Sequence, residues 1–186
     1  MRKVVIRVFD CSLDGVIAEE ATGFFQYCRD LPDDPAQVGR TRTLYESADV
    51  HIMGRNLYQG AAEYFPTAVD HPYSEVMNAV RKMVFSRTLQ TADWANSTIL
   101  SGDLAKEIEE LKQDGDGDII AHGGLSFWHS LVWLDLVDEY RVTLFPYLVG
   151  KGRRLFSDLE ESRQLELVSS TAFANGTVEL QYRRHR

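Results

Sequence analysis

The sequence predicts an α/β domain: a central, mostly parallel sheet between two helical layers, with antiparallel strands at its C-terminal edge. Three observations carry this expectation. Short β-branched runs alternate with helical stretches through the first part of the chain. After Tyr140 the rhythm changes to a β meander whose last two strands join through Ala174-Asn175-Gly176, a strong short-range hairpin signal. The 186 residues, 44% hydrophobic and 26% charged, match one globular unit, so residues 1–186 read as a single domain. A chain of this size buries enough surface to fold without a disulfide or metal staple.

The elements follow in order. Val4-Val5-Ile6-Arg7-Val8-Phe9 is a mostly apolar, β-branched first strand, and Ser12-Leu13-Asp14-Gly15 turns the chain into Val16-Ile17-Ala18. The stretch from Gly23 to about Tyr45 is helical at both ends, interrupted at Leu31–Pro35 because Pro32 and Pro35 break any helix. Asp49–Met53 is a second strand that leads straight into Gly54-Arg55. Lys82–Phe85 and Ser97–Leu100 are the third and fourth. Asp103 caps a helix with Leu104, Ile108 and Leu111 on one face. Asp118–Ala121 is the fifth strand, followed by Gly123-Gly124 and a helix with Leu125, Trp128, His129 and Val132 on one stripe. Tyr140–Tyr147, Gln164–Phe173 and Thr177–Tyr182 complete the meander.

Composition narrows the function. A formal charge of −8 opposes a general nucleic-acid backbone binder, which needs a clustered cationic surface. No apolar run is long enough to span a membrane, and Arg7 and Asp10 break the one stretch resembling a signal peptide, so the expected location is the cytoplasm. Cys11 and Cys28 are too few for a disulfide framework and read as ordinary thiols. The G-x-G-x-x-G fingerprint, the P-loop and the G-x-S-x-G elbow are absent. Asp114–Asp118 imitates a calcium loop, but Ile119 and Leu125 stand where glycine and glutamate are required. The five histidines show no metal-ligand spacing, and His129 reads as a packed, hydrogen-bonded core residue.

What remains is a pattern at the strand ends, where open α/β sheets bind ligands. Gly54-Arg55-Asn56 follows the second strand, Ser86-Arg87 the third, and Gly123-Gly124-Leu125-Ser126 the fifth. Glycine lets the backbone approach a phosphate, the helix N-terminus favours an anion, and arginine binds phosphate bidentately. Each feature alone also describes a plain turn; three at like positions point to a nucleotide with several phosphates, and two arginines favour NADPH over NADH. Asp14, after the first strand, is the candidate catalytic carboxylate, able to hold a substrate or help relay a proton; an Asp-Gly turn bonding its own backbone is the competing reading.

The ordered set Ser12-Leu13-Asp14-Gly15-Val16-Ile17-Ala18, Gly54-Arg55-x-x-Tyr58, Val84-Phe85-Ser86-Arg87, Gly123-Gly124, Leu136–Tyr140 and Pro146-x-Leu148-Val149-Gly150-x-Gly152-x-x-Leu155-Phe156 spans most of the chain. It resembles the dihydrofolate reductase-like family, in particular stand-alone proteins similar to the C-terminal reductase domain of the riboflavin-biosynthesis deaminase–reductase. The resemblance implies NADPH as hydride donor. Gly54, Arg55, Ser86 and Arg87 would meet the adenosine phosphates, and Gly123, Gly124, Leu125 and Ser126 the pyrophosphate and nicotinamide. It also implies a homodimer. Two departures stand out. Leu57 replaces a frequent threonine, and the segment 21–29 lacks the acid that dihydrofolate reductases place on their first helix, with only Glu19 and Glu20 before it. The expected activity is an NADPH-dependent reductase acting on a C=O or C=N of a small pterin-, pyrimidine- or sugar-like substrate. The alternative is a non-catalytic nucleotide- or metabolite-binding protein that keeps the fold.

Overall fold

A computed structural model describes residues 2–18, 23–157, 159 and 161–185. Glu19, Glu20 and Ala21 lie outside the described residues. Eight strands form one sheet in the order β5-β4-β3-β6-β1-β7-β10-β9. They are β1 (Val4–Ser12), β3 (Ala48–Gly54), β4 (Arg81–Phe85), β5 (Ser97–Leu100), β6 (Asp118–Ala121), β7 (Glu139–Phe145), β9 (Leu165–Ala172) and β10 (Val178–Arg184). From β5 across to β7 every neighbouring pair is parallel; β10 is antiparallel to both β7 and β9. A small second sheet pairs β2 (Val16–Ala18) with β8 (Arg153–Arg154), the second of which the sequence pattern did not reveal.

Period-2 alternation sorts the strand residues between two cores. Val4, Ile6, Ile52, Met83 and Ile119 face α5 (Leu104–Gln113) and α6 (Leu125–Trp133). Val5, Met53, Val84 and Ile120 face α2 (Pro35–Glu46), α3 (Arg55–Tyr64) and α4 (Ser74–Ala79). The fold is therefore three-layered. The α6 stripe differs from its expected set: Phe127, Trp128, Leu131 and Val132 are buried, whereas Leu125 and His129 are half-buried. The His129 reading is corrected to that extent. Its Nε2 lies 3.1 Å from the Leu155 carbonyl, at the edge of the core rather than inside it.

Local signals explain the element ends. Asp103 accepts the Lys106 amide at 3.0 Å and starts α5. Asp34 accepts the Ala36 amide at 2.8 Å ahead of Pro35, and its other oxygen takes the Ala174 amide at 2.8 Å. One carboxylate thus caps α2 and anchors the β9–β10 hairpin, where Gly176 has φ +85°. The Asp114–Asp118 turn donates its Asp116 and Gly117 amides to Asp49. Both cysteines are free thiols. Among the described residues no helix is long and apolar enough to cross a membrane.

The sheet buries charged side chains as well, among them Arg7, Lys82, Glu139 and Glu179. Arg7 on β1 is 1% exposed, and donates to the Val8 carbonyl (2.7 Å), Thr143 (2.9 Å) and Thr41 (3.2 Å). Buried Glu179 on β10 lies 3.6 Å away and also pairs with Arg40 at 2.9 Å.

Candidate active site

The chain visits β3, β4 and β5 in order, then returns to place β6 between β3 and β1. The carboxyl ends of β3 and β6 therefore meet without being consecutive, the arrangement that opens a crevice in α/β sheets. Their ladder continues past the strands: the Gly54 amide donates to the Gly123 carbonyl at 2.8 Å, and the His122 amide to the Ile52 carbonyl at 3.0 Å. The end of β3 runs directly into α3, and the end of β6 reaches α6 through His122, Gly123 and Gly124. Gly54 and Gly124 are the N-caps of α3 and α6, and neither helix start has a side-chain cap, so its first amides stay open to an anion.

Two glycines are demanded by space. A Cβ at Gly54 would lie 3.2 Å from the Phe127 Cβ. Gly123 has φ +108°, and a Cβ there would lie 3.0 Å from the Trp128 ring. That ring is fixed by its Nε1–H donating to the Ala121 carbonyl at 2.9 Å. At Gly124 an added Cβ would meet nothing within 4 Å, so the start of α6 opens into free space.

The cationic side of the cradle lies beside β4. Arg55 donates from Nη1 to Thr88 at 2.7 Å and from Nε to Asn56 at 3.3 Å. This draws the exposed Arg55 guanidinium to the loop that carries exposed Arg87. Ser86 Oγ accepts the Leu89 amide at 2.9 Å and the Thr88 amide at 3.2 Å, which shapes that loop and leaves the hydroxyl proton available. Ser126 is exposed at the start of α6, while Leu125 packs against the core. The structure thus gathers Gly54, Arg55, Asn56, Ser86 and Arg87 on one side, and Gly123, Gly124, Leu125 and Ser126 on the other. The residues present fit a polyanionic nucleotide.

Asp14 follows β1 in the turn to β2. Its Oδ1 accepts the Ser12 hydroxyl at 2.8 Å and the Val149 amide at 3.0 Å; its Oδ2 accepts the Gly150 amide at 2.8 Å. Arg154 donates to its backbone carbonyl. The Val149 amide, then the Ser12 hydroxyl and the Gly150 amide, hold the carboxyl down at about 2. Both oxygens are spent on joining the β1–β2 turn to the loop after β7. No described contact links it to Arg55 or Gly123. This geometry makes Asp14 a tie between the two loops.

Sequence reasoning missed the cavity beside the cradle. It is an open cavity of about 310 Å³ between the sheet and α2–α4. Met53 and His122, the residues immediately before Gly54 and Gly123, line it, as do Asp10, Phe9, Tyr45 and Tyr73. Leu57 also lines this cavity. His122 Nε2 is sealed from solvent without a hydrogen-bond partner, and its Nδ1 lies 3.5 Å from the Tyr45 hydroxyl. Burial, with Arg7 adding to it, lowers His122 to about 3, so it is neutral near pH 7. Asp10 was visible only as a break in an apolar run. A larger surface groove of about 700 Å³ between α3 and residues 89–95 touches none of the strand-end residues.

Comparison with known proteins agrees with this architecture. The family model of the RibD C-terminal domain matches residues 3–179. Over 177 residues the chain is 32% identical to YyaP, an uncharacterized protein of Bacillus subtilis (strain 168), covering 92% of this chain and 89% of that one. A putative riboflavin biosynthesis protein from Shewanella sp. PV-4 superposes with a TM-score of 0.77 at 26% identity, over 100% of both chains. The dihydrofolate reductase of Enterococcus faecalis, solved in complex with NADP(H), shares the fold at a TM-score of 0.63 and 14% identity, over 99% of this chain and 97% of that one. The chain has a reductase-type, dihydrofolate reductase-like fold and belongs to the RibD C-terminal domain family.

Proposed function

We propose that this protein is an NADPH-dependent reductase that reduces a C=O or C=N of a small pterin-, pyrimidine- or sugar-like substrate. One observation carries the reading: two uncapped helix starts and the Arg55–Thr88 corner converge on the crevice above β3 and β6, beside an open cavity. A bound nicotinamide dinucleotide would supply the hydride. Arg55, Arg87 and Ser86 would hold the adenosine phosphates, with Asn56 fixing the Arg55 side chain. The amides of Leu125 and Ser126 would face the pyrophosphate, where Gly123 and Gly124 allow close approach. The cavity would hold the substrate against the end of β6 and exclude water from it. Asp14 would serve by fixing the neighbouring loop.

Exposed Trp133 and Leu134, with Leu167 and Val168 on edge strand β9, support a homodimer. Arg163 donates to the carbonyls of Val132 and Trp133 at the first of these patches. Sedimentation at micromolar protein gives a dimer on this reading, and a lone 21.2 kDa species refutes it. A cytoplasmic location fits the two free thiols. The activity is tested by NADPH oxidation against a panel of carbonyl and imine compounds. Turnover with one of them supports the reductase. Nucleotide binding without turnover across the panel favours the non-catalytic alternative.

A further inference from the structure

The cavity beside the cradle has a charge pattern that selects its occupant. We infer that it accepts a planar, nitrogen-bearing molecule that is neutral or cationic, held by Asp10 from β1, and that it turns away anions, phosphorylated molecules included. This rests on the cavity being the substrate site of the proposed reductase.

Asp10 is the one formally charged side chain lining the cavity among the described residues. Its carboxyl oxygens accept no hydrogen bond from a described residue, in contrast to the bonded carboxylates of Asp14, Asp34, Asp49 and Asp138. Burial raises its affinity for a proton, opposed by Arg7 and Arg29. A half-buried carboxyl in this condition gains from any N–H donor that enters.

Nothing in the lining offers an anion a counter-charge. His122 and His71 are both pushed below the ordinary histidine range by burial. Arg7 lies beneath the cavity, but its guanidinium is bonded to Val8, Thr41 and Thr143, faces Glu179, and is covered by the Phe9 ring at 4.2 Å. The walls favour a flat cation or donor. Phe9, Tyr45 and Tyr73 stand with ring centroids 5.6 to 6.2 Å apart, and aromatic faces attract positive charge. At about 310 Å³ the space suits one or two rings.

The test uses three small probes of similar shape without nucleotide: benzamidine, benzoate and phenyl phosphate, at about pH 8 so that carboxyls are ionised. The methyl NMR signals of Met53 and Met77 report occupancy, because both line the cavity. Met83, in the core on the other face of the sheet, is the reference. Benzamidine is expected to move Met53 and Met77 but not Met83, and to bind at least about tenfold more tightly than either anion. Asp10→Asn removes that preference; Asp10→Ser does the same should the amide disturb folding. Equal or tighter binding of benzoate or phenyl phosphate overturns the inference. So does a preference that survives in both variants, or the absence of any response at Met53 and Met77. The titration contains no nucleotide, so its failure is separate from a failure of NADPH to bind or react.

Discussion

Gly123 joins the sheet to the cradle, and Gly123→Ala tests that joint directly. The residue has φ +108°, a region that costs a side-chain-bearing residue about 1–2 kcal/mol. The new Cβ would lie 3.0 Å from Trp128, whose ring cannot swing away without breaking its bond to the Ala121 carbonyl. Overpacking of this kind adds about 1–3 kcal/mol. The total is about 2–5 kcal/mol, which for a domain of this size lowers Tm by about 4–20 °C. Gly60→Ala is the matched control. Gly60 lies inside α3 with nothing within 4 Å of an added Cβ, so this change stabilises by about 0.4–1 kcal/mol. Urea and thermal unfolding of both variants decide the matter. A Gly123→Ala protein as stable as the parent would refute the argument that this turn is sterically closed.

Two further outcomes follow from the charges. Glu179→Leu strands the buried Arg7 and is expected to cost about 3 kcal/mol in urea unfolding, while adding Arg7→Met recovers most of the loss; a double variant no better than the single one contradicts the pairing. Asp14 has a folded-state value depressed to about 2, so its contribution is present above the unfolded value near 3.8 and is lost as pH falls from there through about 2. Asp14→Asn should therefore flatten the stability profile in that window and loosen the loop carrying Val149 and Gly150. An unchanged acid profile in the variant counts against the tie.

Much of the architecture was legible because its signals are local. β-branched runs marked β1, β3, β4, β5 and β6, Asp103 marked the start of α5, and Asn175-Gly176 marked the hairpin. The three strand ends were legible for the same reason, as glycine and arginine follow the strands directly. What stayed hidden depends on distant partners. The insertion of β6 between β3 and β1 is set by long-range pairing that no window of sequence contains. Arg7 reads as a break in an apolar run until Glu179 on β10 comes beside it. Asp10 gains its meaning only when Tyr45, Tyr73 and His122 close around it. The partners of Asp14 were hidden for the same reason, since the amides that occupy it belong to Val149 and Gly150. The six-residue helix α4 carries too short a pattern to be read.

On the proposed function, the crevice above β3 and β6 binds NADPH with its phosphates on the arginine side. Calorimetry of NADPH and NADH on the parent protein and on the Arg55→Ala, Arg87→Ala double variant tests it most directly. The parent is expected to prefer NADPH by at least about tenfold, and the double variant to lose the preference while remaining folded. Failure of the parent to bind either nucleotide, or a preference that survives without both arginines, would contradict it.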